Sequence, residues 1–262
     1  MQMNSVQKSV IRTAWMIIAF FVTSLISSGQ VVSTGIEQLA ESNFGILKGK
    51  RVGLVTNPTG VDSQLRSTVD ILFNAPDVKL VALYGPEHGV RGEFTAGEYV
   101  ESETDPSTGL PVYSLYGKTR KPSPEMLKGI DMLVYDIQDI GSRSYTFIST
   151  LGLLMEAAAE NGIPLVVLDR PNPLGGIRME GAVTRPGFFS FVSQFAIPYI
   201  HGMTVGELAM FLNGERMLAN GVVCGLQVVK MSGWTRTMHF GETGLPWVPS
   251  SPQVPHRDTP LY

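Results

Sequence analysis

The stretch "ALYGPEHGVRGE", residues 82–93, sets Glu87, His88, Arg91 and Glu93 directly behind an apolar run, with Gly85, Pro86, Gly89 and Gly92 among them. A carboxylic acid that transfers a proton must be held within hydrogen-bond reach of its target. The Gly-Pro dipeptide ahead of Glu87 fixes the backbone that presents it. A solvated turn accounts for the charge but not for three glycines and a proline within eight residues. His88 suits a backbone-bonding histidine as well as a chemical group, and the four histidines of the chain form no metal trio.

The elements that position this loop are legible as apolar runs. "RVGLVTN" (51–57), "VKLVALY" (78–84), "DMLVYDIQ" (131–138) and "IPLVVLDR" (163–170) are short and apolar on consecutive residues, as strands buried on both faces are. "SQLRSTVDILFN" and "SYTFISTLGLLMEAAAENG" lie between them with helical spacing, the second stopping at Asn161-Gly162. "TVGELAMFLNGERML" opens with Thr204 and Glu207 in capping-box spacing. Strand and helix in this rhythm predict an α/β fold with a mostly parallel sheet.

In open parallel sheets ligands bind outside the carboxyl ends of the strands. Those ends carry Asn57-Pro58-Thr59-Gly60, then Gly85-Pro86-Glu87-His88, then Asp136, Gln138, Asp139, Gly141 and Arg143, and then Asp169-Arg170-Pro171-Asn172. The opposite ends carry ordinary punctuation such as "LKGK" and "APD". A polar pocket over the carboxyl ends is the expectation. Each member also has a plainer reading: Asp136 and Asp169 as turn caps or partners of an arginine, Asn57 as a turn residue.

Several function classes fall away on composition and motif. The formal net charge is −3, and residues 1–29 resemble a secretory leader, with Lys8 and Arg12 ahead of the apolar run "AWMIIAFFVTSLI" and no acidic residue. That run is shorter than a bilayer span, so no stable membrane anchor is expected after cleavage, an uncleaved anchor being the lesser reading. Its removal takes away two positive charges, moving the net charge to −5. An exported, periplasmic or extracellular, mildly acidic protein is a poor partner for nucleic acid. The single cysteine, Cys224, reads as a small core residue. Neither G-x-G-x-x-G nor a P-loop lysine supports a nucleotide, and no G-x-S-x-G elbow supports an esterase. A metal-dependent hydrolase built from Glu87, His88, Asp136 and Asp169 stays open, as does a non-catalytic sugar-binding module.

"GLVTNPTGVD", "YGPEHGVRGE", "LPVYSLYG", "DMLVYDIQDIGSRSYTFISTL" and "VVLDRPNPLGG" followed by "MEG" together resemble the exo-acting β-N-acetylmuramidases of bacteria, over roughly residues 36–262. The resemblance implies a Rossmann-like domain, here residues 30–245, followed by the start of a smaller C-terminal domain. It implies removal of N-acetylmuramic acid from the non-reducing ends of peptidoglycan fragments, with peptidoglycan-derived sugars and muropeptides as partners and no cofactor. Glu87 then corresponds to the catalytic acid and Glu180 to the second carboxylate. Asn57, His88, Asp136, Gln138, Asp139, Tyr145, Asp169 and Asn172 fall in the matching motifs as substrate-binding positions. Nearby Asp136 or Asp139 would raise the pKa of Glu87 by repulsion and burial. Arg91, Arg143 and Arg170 are candidates for the lactyl carboxylate of the sugar, each with a structural ion pair as its alternative. Family members continue into a further domain, so the Pro-rich residues 246–262 are expected to be a connection to a C-terminal part absent from this sequence.

Overall fold

The structure, a computed structural model, describes residues 32–92 and 103–259. The leader expected at 1–29, Glu93 and the last three residues of the Pro-rich stretch lie outside these residues. Among those described, seven strands form one sheet: β1 (Arg51–Thr56), β2 (Lys79–Gly85), β3 (Glu103–Thr104), β4 (Pro111–Ser114), β5 (Met132–Asp136), β6 (Leu165–Leu168) and β7 (Leu226–Val229). Their order is β3-β4-β2-β1-β5-β6-β7, and every pairing is parallel except the short β3–β4 edge. The four strands expected from sequence are the four central ones.

Each central strand is buried on both faces, which is why its apolar residues run consecutively. Leu133, Tyr135, Leu165 and Val167 point into one core with helices α3 (Phe147–Glu160) and α4 (Val205–Gly214). Val134, Val166 and Leu168 point into the other with α1 (Gly35–Glu41) and α2 (Thr68–Phe73). The capping box at α4 forms as its spacing predicts, with Thr204 Oγ1 accepting from Glu207 N at 3.1 Å and Glu207 returning to Thr204 N at 3.0 Å. At the end of α3, Gly162 takes φ 64° and Ile163 N reaches back to the Ala158 carbonyl at 2.9 Å, a Schellman closure.

Helix α2 is shorter than its sequence pattern. Asp62 Oδ1 accepts from Gln64 N and Arg66 N, and Leu65 is left-handed at φ 62°, so residues 62–66 fold into a side-chain-stabilised loop before the helix begins behind its Ser67 cap. Cys224 is buried, and burial pushes its thiol up to about 11, in line with a core role. The described residues make up one compact unit. Prolines keep residues 246–259 out of the sheet, and side chains hold this segment instead: Trp247 packs edge-on to Phe240 with ring centroids 4.9 Å apart, and Ser250 accepts from the Tyr145 hydroxyl at 2.8 Å.

Helix α3 packs so tightly over the 195 segment that Gly152 has no room for a side chain; a Cβ there would overlap the Phe195 ring. Alanine in a helix interior gains about 1 kcal/mol over glycine, whereas overpacking costs about 1–3 kcal/mol. Gly152→Ala is expected to lower stability by up to about 2 kcal/mol in urea unfolding. A double-mutant cycle checks the cause: Phe195→Leu costs less in the Gly152→Ala background than in the native chain.

Candidate active site

Strand β1 turns the chain toward β2 and α2, while β5 starts the return on the other side, so the carboxyl ends of β1 and β5 form the switch point of the sheet. There Thr56 pairs with Asp136, and Gly60 packs where a Cβ would overlap Thr56 Oγ1 and the Asp136 carbonyl. Asp136 is fully buried and held by Arg170, with Nε to Oδ1 at 2.6 Å and Nη2 to Oδ2 at 2.9 Å, and by the Thr68 hydroxyl. Arg170 Nη2 also donates to the Val61 carbonyl at 2.8 Å.

This corrects two expectations. Asp136 does not act as an uncompensated neighbour of Glu87, because a guanidinium neutralises it. Arg170 is committed to that pair and is not open to a substrate carboxylate. Arg91 is committed likewise, forking onto the buried Asp105 with Nε at 2.6 Å and Nη2 at 3.1 Å, and reaching Asp70 at 3.1 Å. Arg143 donates Nη1 to the carbonyls of Ala182 and Ile197, both at 2.6 Å, and thereby pins the 180–200 segment to the β5 loop. All three nominated arginines thus do structural work.

The crevice at the switch point is itself filled. Thr34, Thr59, Gln138 and Arg170 are roofed by Phe240 and residues 245–248, leaving a cavity of about 20 Å³, room for a water but not for a sugar. Asn57, almost wholly buried, accepts from Thr59 N at 3.0 Å and Thr59 Oγ1 at 2.6 Å. Gln138 ties the carbonyls of Asp139 and Pro171 together, both at 2.7 Å. Asn172 folds its own turn onto Leu174 N and donates to the Met203 carbonyl. These three shape the strand-end loops.

Glu87 sits outside the filled crevice, at the end of β2. Pro86 to Gly89 form a tight turn closed by Gly89 N to the Pro86 carbonyl at 3.0 Å. His88 within it is left-handed at φ 73°, a conformation costing a non-glycine residue about 1 kcal/mol. The glycines of the motif have separate reasons: a Cβ on Gly85 would crowd Gly89 and Val90, and Gly92, at φ 82°, lies against Pro58 of the β1 loop. Glu87 is half-buried, with the Thr146 hydroxyl 3.5 Å from Oε2. The Tyr116 phenol lies against the same carboxylate, and that contact, followed by burial, pushes its pKa up.

Tyr145 connects this carboxylate to the β5 loop. Burial first, with the Asp139 and Glu87 carboxylates adding to it, pushes its phenol up to about 12. Asp139 Oδ2 accepts from Gly141 N at 2.7 Å and faces His201 Nε2 at 3.5 Å. His201 is buried with Nδ1 accepting from Met203 N at 3.3 Å, and its Nε2 has no hydrogen-bond partner among the described residues. Glu180 is exposed and bound to Arg178 at 2.5 Å, which holds its pKa below the ordinary carboxylate range. Its backbone bridges Ile200, which also bridges Ser142, so the Glu180 segment, His201 and the β5 loop are adjacent. Among the described residues no three His, Cys, Asp or Glu side chains converge as a metal centre requires. Tyr116, Thr146 and His201 lie outside the sequence expectation; "LPVYSLYG" contains Tyr116, but nothing in its spacing marks a site.

Asp169 belongs to the scaffold. Its carboxylate accepts from Gly206 N at 2.8 Å, Arg170 N at 3.0 Å and the Thr204 hydroxyl at 3.1 Å, joining the end of β6 to the start of α4. Burial outweighs these donors and lifts its pKa to about 6 from 3.8. The native state therefore binds this proton more tightly than the unfolded chain. The resulting stabilisation is complete below about pH 4 and is lost as pH rises through about 6. Relative to Asp169→Asn, the native chain is expected to gain up to about 3 kcal/mol in unfolding free energy between neutral pH and about pH 4. Parallel urea titrations of the two proteins across that range measure it.

The comparisons with known proteins agree with this architecture. The family model "Exo-beta-N-acetylmuramidase NamZ, N-terminal" matches residues 52–258. Peptidoglycan beta-N-acetylmuramidase NamZ of Bacillus subtilis is 55% identical over 224 residues, which cover 86% of this chain and 53% of that protein. Two crystal structures of Bacteroides fragilis proteins described as DUF1343 family members are similar. One is 63% identical with a TM-score of 0.83, covering 88% of this chain and 58% of that one; the other is 37% identical with a TM-score of 0.74, covering 86% and 57%. The chain spans about half the length of the curated relative it matches. It belongs to the family defined by the N-terminal part of the exo-β-N-acetylmuramidase NamZ.

Proposed function

We propose that this protein is a glycoside hydrolase that removes N-acetylmuramic acid from the non-reducing ends of peptidoglycan fragments, with Glu87 as its general acid. The observation that carries the reading is the setting of Glu87. It is a half-buried carboxylate on a turn fixed by Pro86 and Gly89, faced by two hydroxyl groups, Tyr116 and Thr146, and bound by no arginine among the described residues. The 55% identity to a peptidoglycan β-N-acetylmuramidase supports the substrate class.

In this reading Glu87 gives its proton to the glycosidic oxygen as the C1–O bond breaks, and the leaving sugar departs as a neutral alcohol. Glu180, kept ionised by Arg178, is the second carboxylate. It either attacks or activates water at C1, or orients the substrate's own N-acetyl oxygen to do so; water completes the hydrolysis, and Glu87 recovers its proton. Asn57, Gln138, Asn172, Arg143 and the Asp136–Arg170 pair hold the loops that frame this chemistry. The leader pattern of residues 1–29 supports export to where peptidoglycan lies.

The test is release of 4-nitrophenol from the 4-nitrophenyl β-glycoside of N-acetylmuramic acid. Glu87→Gln is expected to lower kcat by about 10²–10⁴-fold, with an unchanged melting temperature and with EDTA having no effect on the native chain. Absence of turnover by a cooperatively folded chain overturns the reading in favour of a sugar-binding module, and sensitivity to EDTA favours metal-dependent hydrolysis.

A further inference from the structure

The substrate class of the proposed reaction carries a carboxylate on a lactyl ether at C3, two ring carbons from the anomeric centre. Of the arginines nominated from sequence to meet it, Arg91 and Arg170 hold carboxylates and Arg143 gives its Nη1 to two backbone carbonyls. The same holds widely: Arg51, Arg66, Arg91, Arg170, Arg178 and Arg236 each hold a carboxylate. Arg120 holds no carboxylate among the described residues, as is also true of Arg143, Arg185 and Arg216, and it makes no ion pair or hydrogen bond with any described residue. Its guanidinium instead lies over the Phe191 ring, with Cζ 4.3 Å from the centroid.

That stacking occupies the face of the guanidinium and leaves its edge, where all five N–H donors lie, open for a forked contact with a carboxylate. It also settles the side chain in one place, so less rotamer freedom is lost when an anion arrives. Position is the second argument. Arg120 follows Tyr116 by four residues and acts on its phenol electrostatically, as Glu87 does, so the cation and the acid both lie near one tyrosine.

We propose that Arg120 is the specificity-determining residue of this site, its guanidinium receiving the carboxylate of an acidic amino sugar whose glycosidic oxygen is protonated by Glu87. The inference rests on the hydrolase reading given above. Sugars lacking the carboxylate lose this contact and keep the rest.

The experiment compares two substrates, the 4-nitrophenyl β-glycoside of N-acetylmuramic acid and its lactyl methyl ester, in the native protein, Arg120→Ala and Arg120→Lys. The native protein is expected to favour the free acid in kcat/KM by roughly tenfold to a hundredfold, the worth of a hydrogen bond to a charged group. Arg120→Ala brings that ratio close to one by raising KM for the acid while leaving the ester unchanged, and Arg120→Lys keeps part of the preference. An unchanged ratio in Arg120→Ala, or equal losses on both substrates, overturns the assignment of Arg120 and leaves the hydrolase reading intact. Turnover of neither substrate by the folded native protein overturns the hydrolase reading, and the assignment with it.

Discussion

The buried pair between Asp136 and Arg170 is the constraint on which the carboxyl side of the sheet depends. Its members are 0% and 5% exposed at the side chain. Taking two charges out of water costs several kcal/mol each, so such a pair persists only where geometry is good and the remaining polar atoms are satisfied. Here both carboxylate oxygens meet the guanidinium, one also meets Thr68, and the guanidinium continues to the Val61 carbonyl. Four segments are thereby fixed to one point: the ends of β5 and β6, the loop after β1 and the start of α2. The value of the pair lies in registry. An apolar pair of equal volume packs as well but does not specify which loops meet.

Fixing that point has a consequence for where chemistry takes place. Open α/β sheets bind ligands at the switch point, yet here the switch point holds a structural ion pair beneath a roof of Phe240 and residues 245–248. Glu87 and Tyr145 lie to the side of it, on the loops after β2 and β5. Tyr145 links the two regions, since its hydroxyl is bonded to Ser250 of the Pro-rich segment while its ring stands edge-on to Phe147 at the start of α3. The segment that closes the crevice thus also braces the wall beside Glu87.

The fold was largely legible because consecutive apolar residues have one physical cause, burial on both faces, and the four runs that show it are the four central strands. Strands β4 and β7 were less legible, since partly exposed strands at or next to the edge of the sheet lack that run, and the short α1 buries only one stripe. The site was legible in outline: polar residues do gather at the carboxyl ends. Their roles were not, because a role depends on which partner arrives from elsewhere in the chain. Arg170 finds Asp136 34 residues away, and Arg143 finds carbonyls 39 and 54 residues on. His201 follows no strand at all and reaches Asp139 only through the bridges that Ile200 makes to Ser142 and Glu180.

Three carboxylates at strand ends show how partners divide labour among residues that look equivalent in sequence. Asp136 meets a guanidinium and becomes a fixed anion inside the fold. Asp169 meets amide and hydroxyl donors at the start of α4 and becomes a joint between helix and strand, with burial raising its pKa toward neutrality. Glu87 meets hydroxyl groups on a strained turn and stays half-buried. A proton donor must reach its acceptor, which the first two cannot do from beneath their loops. Of these three strand ends, that of β2 places its carboxylate partly exposed and without an ion pair among the described residues, which suits the proposed role, since a bound cation would hold an acid permanently ionised.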